Sequence, residues 1–272
     1  MTFRSLFIPA IDAKSLAGAV SDAGHLLAGR GVLKAQFTWS DYSPPANMAA
    51  AVDLSALAEQ QRIGIKRMER ELRDSFEASA KDLTAAINAE FLSVCGDFPG
   101  SMARSSRMCE AILFRHRGKD KQVGDPATIE EILFHSGRPL FLTPESGIAQ
   151  TPRSFAVAWN GSKEAARALA LAQTMIEGAE KVTFITIGEE RDDTPSAEVM
   201  AAHLSACGTP ADVIRRGPAG KTELVLAETA GEAGADALIV GAYSKSRLRE
   251  IFLGGVTRAM LESPPLPLFI AH

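Results

Sequence analysis

The chain nearly repeats itself, and this limits its fold more than any other feature. Pro139-Leu140-Phe141-Leu142 returns as Pro267-Leu268-Phe269-Ile270, and Arg4-Ser5 returns as Arg153-Ser154. A pattern recurring at long period is one folding design used twice. The 272 residues give room for two units of ordinary domain size. The landmarks place one unit at 1–144 and the other at 153–272, with Pro144–Pro152 as a linker. The first unit is the longer, and its excess falls mostly in one helical insertion.

The second unit shows the design more clearly. Phe155–Trp159 is a short apolar strand ending in Asn160-Gly161-Ser162. Ser162 is a natural N-cap for a helix whose apolar residues run from Ala165 to Ile176. The β-branched run Val182–Ile187 suits a buried strand. A helix over Ser196–Cys207, a strand at Ala211–Arg215 and a helix over Thr222–Ala233 follow. The unit closes with a strand at Ala237–Val240, a helix over Leu248–Leu261 and a strand at Leu266–Ala271. Strands alternating with helices predict a parallel sheet covered on both faces.

The first unit follows the same order with strands at Arg4–Ile8, Val32–Thr38, Glu90–Cys95, Ala111–His116 and Pro139–Thr143. Helices are expected over Ser15–Ala28, Ser101–Arg107 and Thr128–His135. The insertion, from about Met48 to Ala86, carries Ile65, Met68, Leu72, Phe76, Ala80 and Leu83 on one helical stripe. That stripe is expected to pack on its own unit, with a partner surface as the alternative.

Composition removes several function classes. Hydrophobic residues make up 46% of the chain, enough for packed cores, so disorder is not the dominant state. Net charge is −4 and neither unit is basic, so bulk charge does not favour nucleic acid. No run of 18 apolar residues predicts a membrane span. The run Leu6–Ile11 is short for a signal peptide and is interrupted by Pro9. Three widely spaced cysteines suit a reducing cytoplasm, with Cys95 and Cys109 expected as buried thiols. The five histidines have no ligand spacing, so no metal is expected. Without a recognisable nucleophile and base, no hydrolase triad is proposed. Gly217-Pro218-Ala219-Gly220-Lys221-Thr222 imitates a phosphate-binding P-loop, but Arg215 stands where its first glycine is needed.

In an open parallel sheet, ligands bind beyond the carboxyl ends of the strands, where strand order reverses. After the fourth strand of the second unit the chain reads Gly241-Ala242-Tyr243-Ser244, then Lys245 to Leu253, then Gly254-Gly255-Val256-Thr257. Glycines at a strand exit and a helix start let backbone N–H groups meet phosphate oxygens. Lys245, Arg247 and Arg249 form either a basic rim or a solvated loop. Trp159 and Tyr243 either line a pocket or cap the sheet.

On these residues the second unit resembles a universal stress protein domain. That family's fingerprint is Gly, two residues, Gly, nine residues, then Gly followed by Ser or Thr. Gly241 matches its first position, nine residues separate Ser244 from Gly254, and Val256-Thr257 continue it. Ala158-Trp159-Asn160-Gly161-Ser162 resembles the family's first strand exit. The whole chain resembles the tandem form. The resemblance implies an α/β fold: two tandem doubly wound open parallel-sheet domains of the adenine nucleotide alpha hydrolase type, strand order 3-2-1-4-5 each. It implies a cytoplasmic stress-response protein, with ATP or a related adenine nucleotide held by Asn160, Gly241, Ser244, Gly254, Gly255, Val256 and Thr257.

Three departures bear on that expectation. Ser244 replaces a glycine, Gly255 replaces a hydroxyl residue, and Asn160 replaces an acid. Three functional readings therefore stand: a non-catalytic binder of a small ligand or adenine nucleotide, a scaffold that has lost nucleotide binding, and a slow ATP hydrolase. In the first unit, Ile8-Pro9-Ala10-Ile11-Asp12 resembles the opening strand, but Arg115–Pro126 has no glycine fingerprint. That unit is expected to be a degenerate copy. Its cluster of Arg115, His116, Arg117, Lys119 and Lys121 is either an anion site or a solvated loop. The closing strands resemble those that pair across the family's dimer. They are expected to pair within this chain as an intrachain pseudo-dimer, with a further homodimer left open.

Overall fold

The computed structural model describes residues 3–40, 54–117, 126–190, 193–218, 220–242 and 255–272. The first half of the chain supplies β1 (Ser5–Pro9), α1 (Ala13–Leu26), β2 (Gly31–Trp39), α2 (Leu54–Ala80), β3 (Ile87–Cys95), α3 (Gly100–Ser106), β4 (Ala111–Arg115), α4 (Pro126–Ser136) and β5 (Leu140–Thr143). The second half supplies β6 (Ser154–Ala158), α5 (Lys163–Leu171), α6 (Gln173–Ile176), β7 (Lys181–Ile187), α7 (Ala197–Ala206), β8 (Ala211–Arg216), α8 (Thr222–Glu232), β9 (Ala237–Gly241), α9 (Gly255–Glu262) and β10 (Leu268–Ala271).

The ten strands form one sheet, in the order β3-β2-β1-β4-β5-β10-β9-β6-β7-β8. The two open sheets expected of the two units are thus joined into one, through the expected pairing of the closing strands. All the ladders are parallel except the central one, where β5 and β10 run antiparallel with Phe141 opposite Phe269. Each closing strand is buried along its whole length. A buried strand cannot leave its outer N–H and C=O groups unpaired, and the other closing strand satisfies them. Phe3 reinforces the seam, stacking on Phe269 at 6.5 Å between ring centroids and meeting Phe141 edge-on at 6.4 Å.

The buried apolar side chains divide by sheet face. One cluster joins Leu6, Val20, Phe141, Phe155, Phe184 and Phe269 across both halves. The other joins Phe7, Ile132, Leu142, Leu238, Met260 and Ile270 on the opposite face. The alternation of side chains along a strand sends neighbours to opposite layers. Since the sheet is continuous, each layer is continuous too.

Several local expectations shift. The helix expected over 165–176 breaks at Ala172 into α5 and α6. The insertion is helical only to Ala80, and β3 begins at Ile87 rather than Glu90. On α2 only the C-terminal part of the stripe is well packed. Leu72 and Phe76 are buried, but Met68 is 49% exposed. Cys95 is exposed, contrary to the expected buried thiol, because it ends edge strand β3. Cys109 is buried, and its burial pushes the thiol pKa up to about 11. Of the helix expected over 248–261, the structure describes the part from Gly255 onward.

Candidate functional site

Each half has a crevice at the carboxyl ends of two parallel strands, where the chain leaves in opposite directions. In the second half these are β6 and β9, and in the first half β1 and β4. The two crevices are built from different side chains.

At the β6 exit, Trp159 is buried and its indole N–H donates to the Pro195 carbonyl at 3.0 Å. Its ring meets Phe184 edge-on at 5.8 Å. Trp159 is therefore an anchor beneath the crevice, which settles it as a cap. Asn160 is exposed, and its Oδ1 accepts from the Ser162 amide at 3.1 Å. Ser162 in turn caps α5, with Oγ accepting from the Ala165 amide at 3.2 Å. This leaves the Asn160 side-chain NH₂ available as a donor at the mouth. Gly161 has φ of +70°, and any side chain there would collide with Thr194.

At the β9 exit, Gly241 lets the first turn of α5 lie directly on the strand. A Cβ at this position would stand 2.5 Å from the Ala165 nitrogen. Real Cβ contacts do not reach that distance, so the glycine is a requirement of packing. Asn160 and Gly241 thus leave adjacent strands at the same end of the sheet. Gly255, Val256 and Thr257 form the first turn of α9, with Gly255 exposed, Val256 half-buried and Thr257 buried. Ser244, Gly254, Tyr243 and the basic residues Lys245, Arg247 and Arg249 lie outside the described residues.

The first-half crevice is closed. Register equates Arg115 with Gly241, since Arg115 stands opposite Thr143 and Gly241 opposite Ala271. The Arg115 guanidinium pairs with Asp22 at 2.7 Å, and Asp22 is 1% exposed. Asp22 also accepts from Thr143 Oγ1 at 2.6 Å and from the Ile148 amide at 3.1 Å. Arg115 donates further to the Glu145 and Gly18 carbonyls. A second pair, Arg117 with Asp12 at 3.2 Å, joins the β4 exit to the α1 cap. Arg115 and Arg117 are therefore neither an anion site nor solvated, because buried charges require partners. Lys119 and Lys121 lie outside the described residues. His116 contacts the Glu262 backbone at the end of α9. Burial lowers its pKa, opposed by that contact and by the Glu145 charge.

One polar network escaped the sequence reading. Glu190, in the loop after β7, accepts from Thr186 Oγ1 at 3.1 Å, the Ala197 amide at 2.9 Å and Arg215 at 2.7 Å. Arg215 also pairs with Glu198 at 2.6 Å. Burial works to raise the Glu190 pKa, but the hydrogen bonds from Ala197, Arg215 and Thr186 outweigh it and hold the carboxyl low. The Arg215 hydrogen bond takes Glu198 down to about 2. The network ties the β7 and β8 exits to α7 at the outer edge of the sheet. Its signal in sequence was weak, because its members are scattered single residues.

No protein-family model and no curated protein matches the chain. Solved structures do. A universal stress protein from Archaeoglobus fulgidus matches with a TM-score of 0.64 at 17% identity, over 98% of this chain and 95% of the other. A functionally unknown protein from Pseudomonas aeruginosa matches with a TM-score of 0.55 at 15% identity, over 99% of this chain and 92% of the other. Across nearly its whole length, the chain has the fold of the universal stress proteins.

Proposed function

We propose that this chain is a tandem stress-response protein that binds a small ligand, an adenine nucleotide or a close relative, at the crevice of its second half. One observation carries the reading: where β4 leaves the sheet Arg115 is paired with buried Asp22, while the equivalent exit of β9 has Gly241, beside the exposed Asn160. A phosphate-bearing ligand needs donors and close backbone approach, not a resident carboxylate. Asn160 offers its NH₂, and the first turn of α9 offers the positive end of a helix dipole. Ser244, Gly254, Gly255, Val256 and Thr257 complete the proposed site. No catalytic role is assigned. On this reading the units are 1–144 and 153–272, the first is a non-binding copy, and the setting is the cytoplasm.

The test is release of bound ligand from freshly purified protein, read by mass spectrometry, with calorimetric titration of ATP. Stoichiometric adenine nucleotide, or saturable binding lost in Gly254→Trp with the fold intact, supports the proposal. An empty protein that gives no heat with ATP overturns it. A scaffold role is then the reading to pursue. It is favoured by the exposed apolar side chains of α2, of which Ile63 is 58% exposed.

A further inference from the structure

The insertion helix α2 creates a second cavity, on the opposite rim of the sheet from the crevice just described. The end of α2 and the turn that follows it are tied to α1 and the turn that follows it at two points. Ser75 Oγ donates to the Ala13 carbonyl at 2.9 Å, and Thr84 Oγ1 donates to the Gly29 carbonyl. Between these ties α1 turns the short side chains of Ala17, Ser21 and Gly24, and the longer one of His25, toward the end of α2. With Ala17, Ser21 and Gly24 so short, the two tied segments do not close the gap between them. A cleft of about 340 Å³ remains, with Leu83 and Ile87 as its apolar wall. That volume lies at the lower end of the range of small-molecule sites.

The polar lining is biased toward acceptors. The Ser79 hydroxyl donates to the Ser75 carbonyl at 2.9 Å, and Thr84 is engaged as above. Three other residues line the same cleft: the half-buried His25 and the exposed Asp82 and Ser21. None of these three side chains has a hydrogen bond or ion pair among the described residues. A carboxylate, a ring nitrogen and a hydroxyl oxygen can together accept three hydrogen bonds. A primary ammonium group donates three. The carboxylate supplies the opposite charge, and a charge-assisted hydrogen bond is about twice as strong as a neutral one. Leu83, Ile87 and Ala17 suit a short apolar body attached to that ammonium.

We propose that this cleft binds a small primary amine with a compact apolar body, the ammonium seated on Asp82, His25 and Ser21. The proposal is independent of nucleotide binding, because it uses other residues on another rim of the sheet.

Three probes of nearly one shape and different charge test it: cyclohexylamine, cyclohexanol and cyclohexanecarboxylate. Each is titrated into the full ¹⁵N-labelled chain and followed through the backbone amides of residues 21–25 and 79–84. The amine is expected to shift these amides saturably. The alcohol is expected to bind at least about tenfold more weakly, and the carboxylate not to bind. Asp82→Asn should weaken the amine about tenfold while leaving the rest of the spectrum in place. Ser21→Leu, which fills the cleft from an exposed position, should abolish binding. Absence of saturable shifts, equal affinity for the three probes, or unchanged affinity in Asp82→Asn overturns the proposal.

Discussion

The two halves of this chain solve the same structural problem with opposite chemistry. Where β4 leaves the sheet, Arg115 pairs with Asp22, which also accepts from the Thr143 hydroxyl. At the equivalent places in the second half stand Gly241, Ala172 and Ala271: Ala172 is as far from its cap Ser162 as Asp22 is from Asp12, and Ala271 pairs with Gly241 as Thr143 does with Arg115. One half fills its central crevice with a partnered buried charge. The other removes side chains until backbone touches backbone. Among the described residues, the second half has its charged network at the outer edge, where Arg215 bridges Glu190 and Glu198. A duplicated fold thus keeps its layers while its crevices diverge, because packing fixes the sheet but only a few side chains decide whether a crevice is open.

The largest effect should come from breaking the buried pair of the first half. Asp22→Ala leaves the Arg115 guanidinium without its carboxylate, and loss of one partner in such a pair typically costs about 3–5 kcal/mol. Urea unfolding should show that loss, and any nucleotide binding by the folded fraction should survive. If Asp22→Ala is as stable as the parent, the first crevice is not held by this pair.

The next effect comes from making the second half resemble the first. Gly241→Ala places a Cβ against the Glu164–Ala165 peptide, and overpacking of this kind costs about 1–3 kcal/mol. The variant should be less stable and should lose ligand affinity. A smaller loss is expected from Asn160→Ala, which removes the acceptor for the Ser162 amide at about 1 kcal/mol. It should weaken ATP binding more than it lowers stability, as calorimetry and thermal melts on one sample would show.

The smallest effects are the pH dependences. Glu198 falls from the usual 4.5 to about 2 on folding. A lowered carboxyl pKa means the unfolded chain binds more protons between those values. Its contribution is therefore complete above about pH 4.5 and is lost as pH falls toward 2. Arg215→Leu should flatten the urea midpoint against pH in that window. His116 is also lowered in the folded chain, so its contribution weakens as pH drops below its ordinary value of 6.5. His116→Gln should remove this dependence near the seam. A variant with the parent's profile would show that the contact between β4 and the end of α9 is immaterial.

Most of the fold was legible in the sequence, because periodicity and caps are local. Ser162 caps the helix that follows it, as a short polar residue ahead of an apolar run should, whereas the first helix starts earlier than the expected Ser15, capped by Asp12. The pairing of the closing strands was expected from their resemblance to the strands that pair across the family's dimer, and the burial of both strands supplies its physical reason. The candidate site was legible only in part. Asn160 and Gly241 do leave adjacent strands together, but nothing local marks Trp159 as an anchor on Pro195. Nor does it show that Arg115 is paired rather than free.

The sequence by itself determined the alternation of elements, the two-fold repeat and the glycine-bearing strand exit, since each depends on residues near one another in the chain. Tertiary structure decided that the ten strands make one sheet, that its cores divide by face, and which crevice is closed. Those outcomes depend on partners far apart, such as Asp22 with Arg115 and Phe141 with Phe269. A charge or an apolar edge in sequence states a need, and only the folded chain shows which distant group meets it.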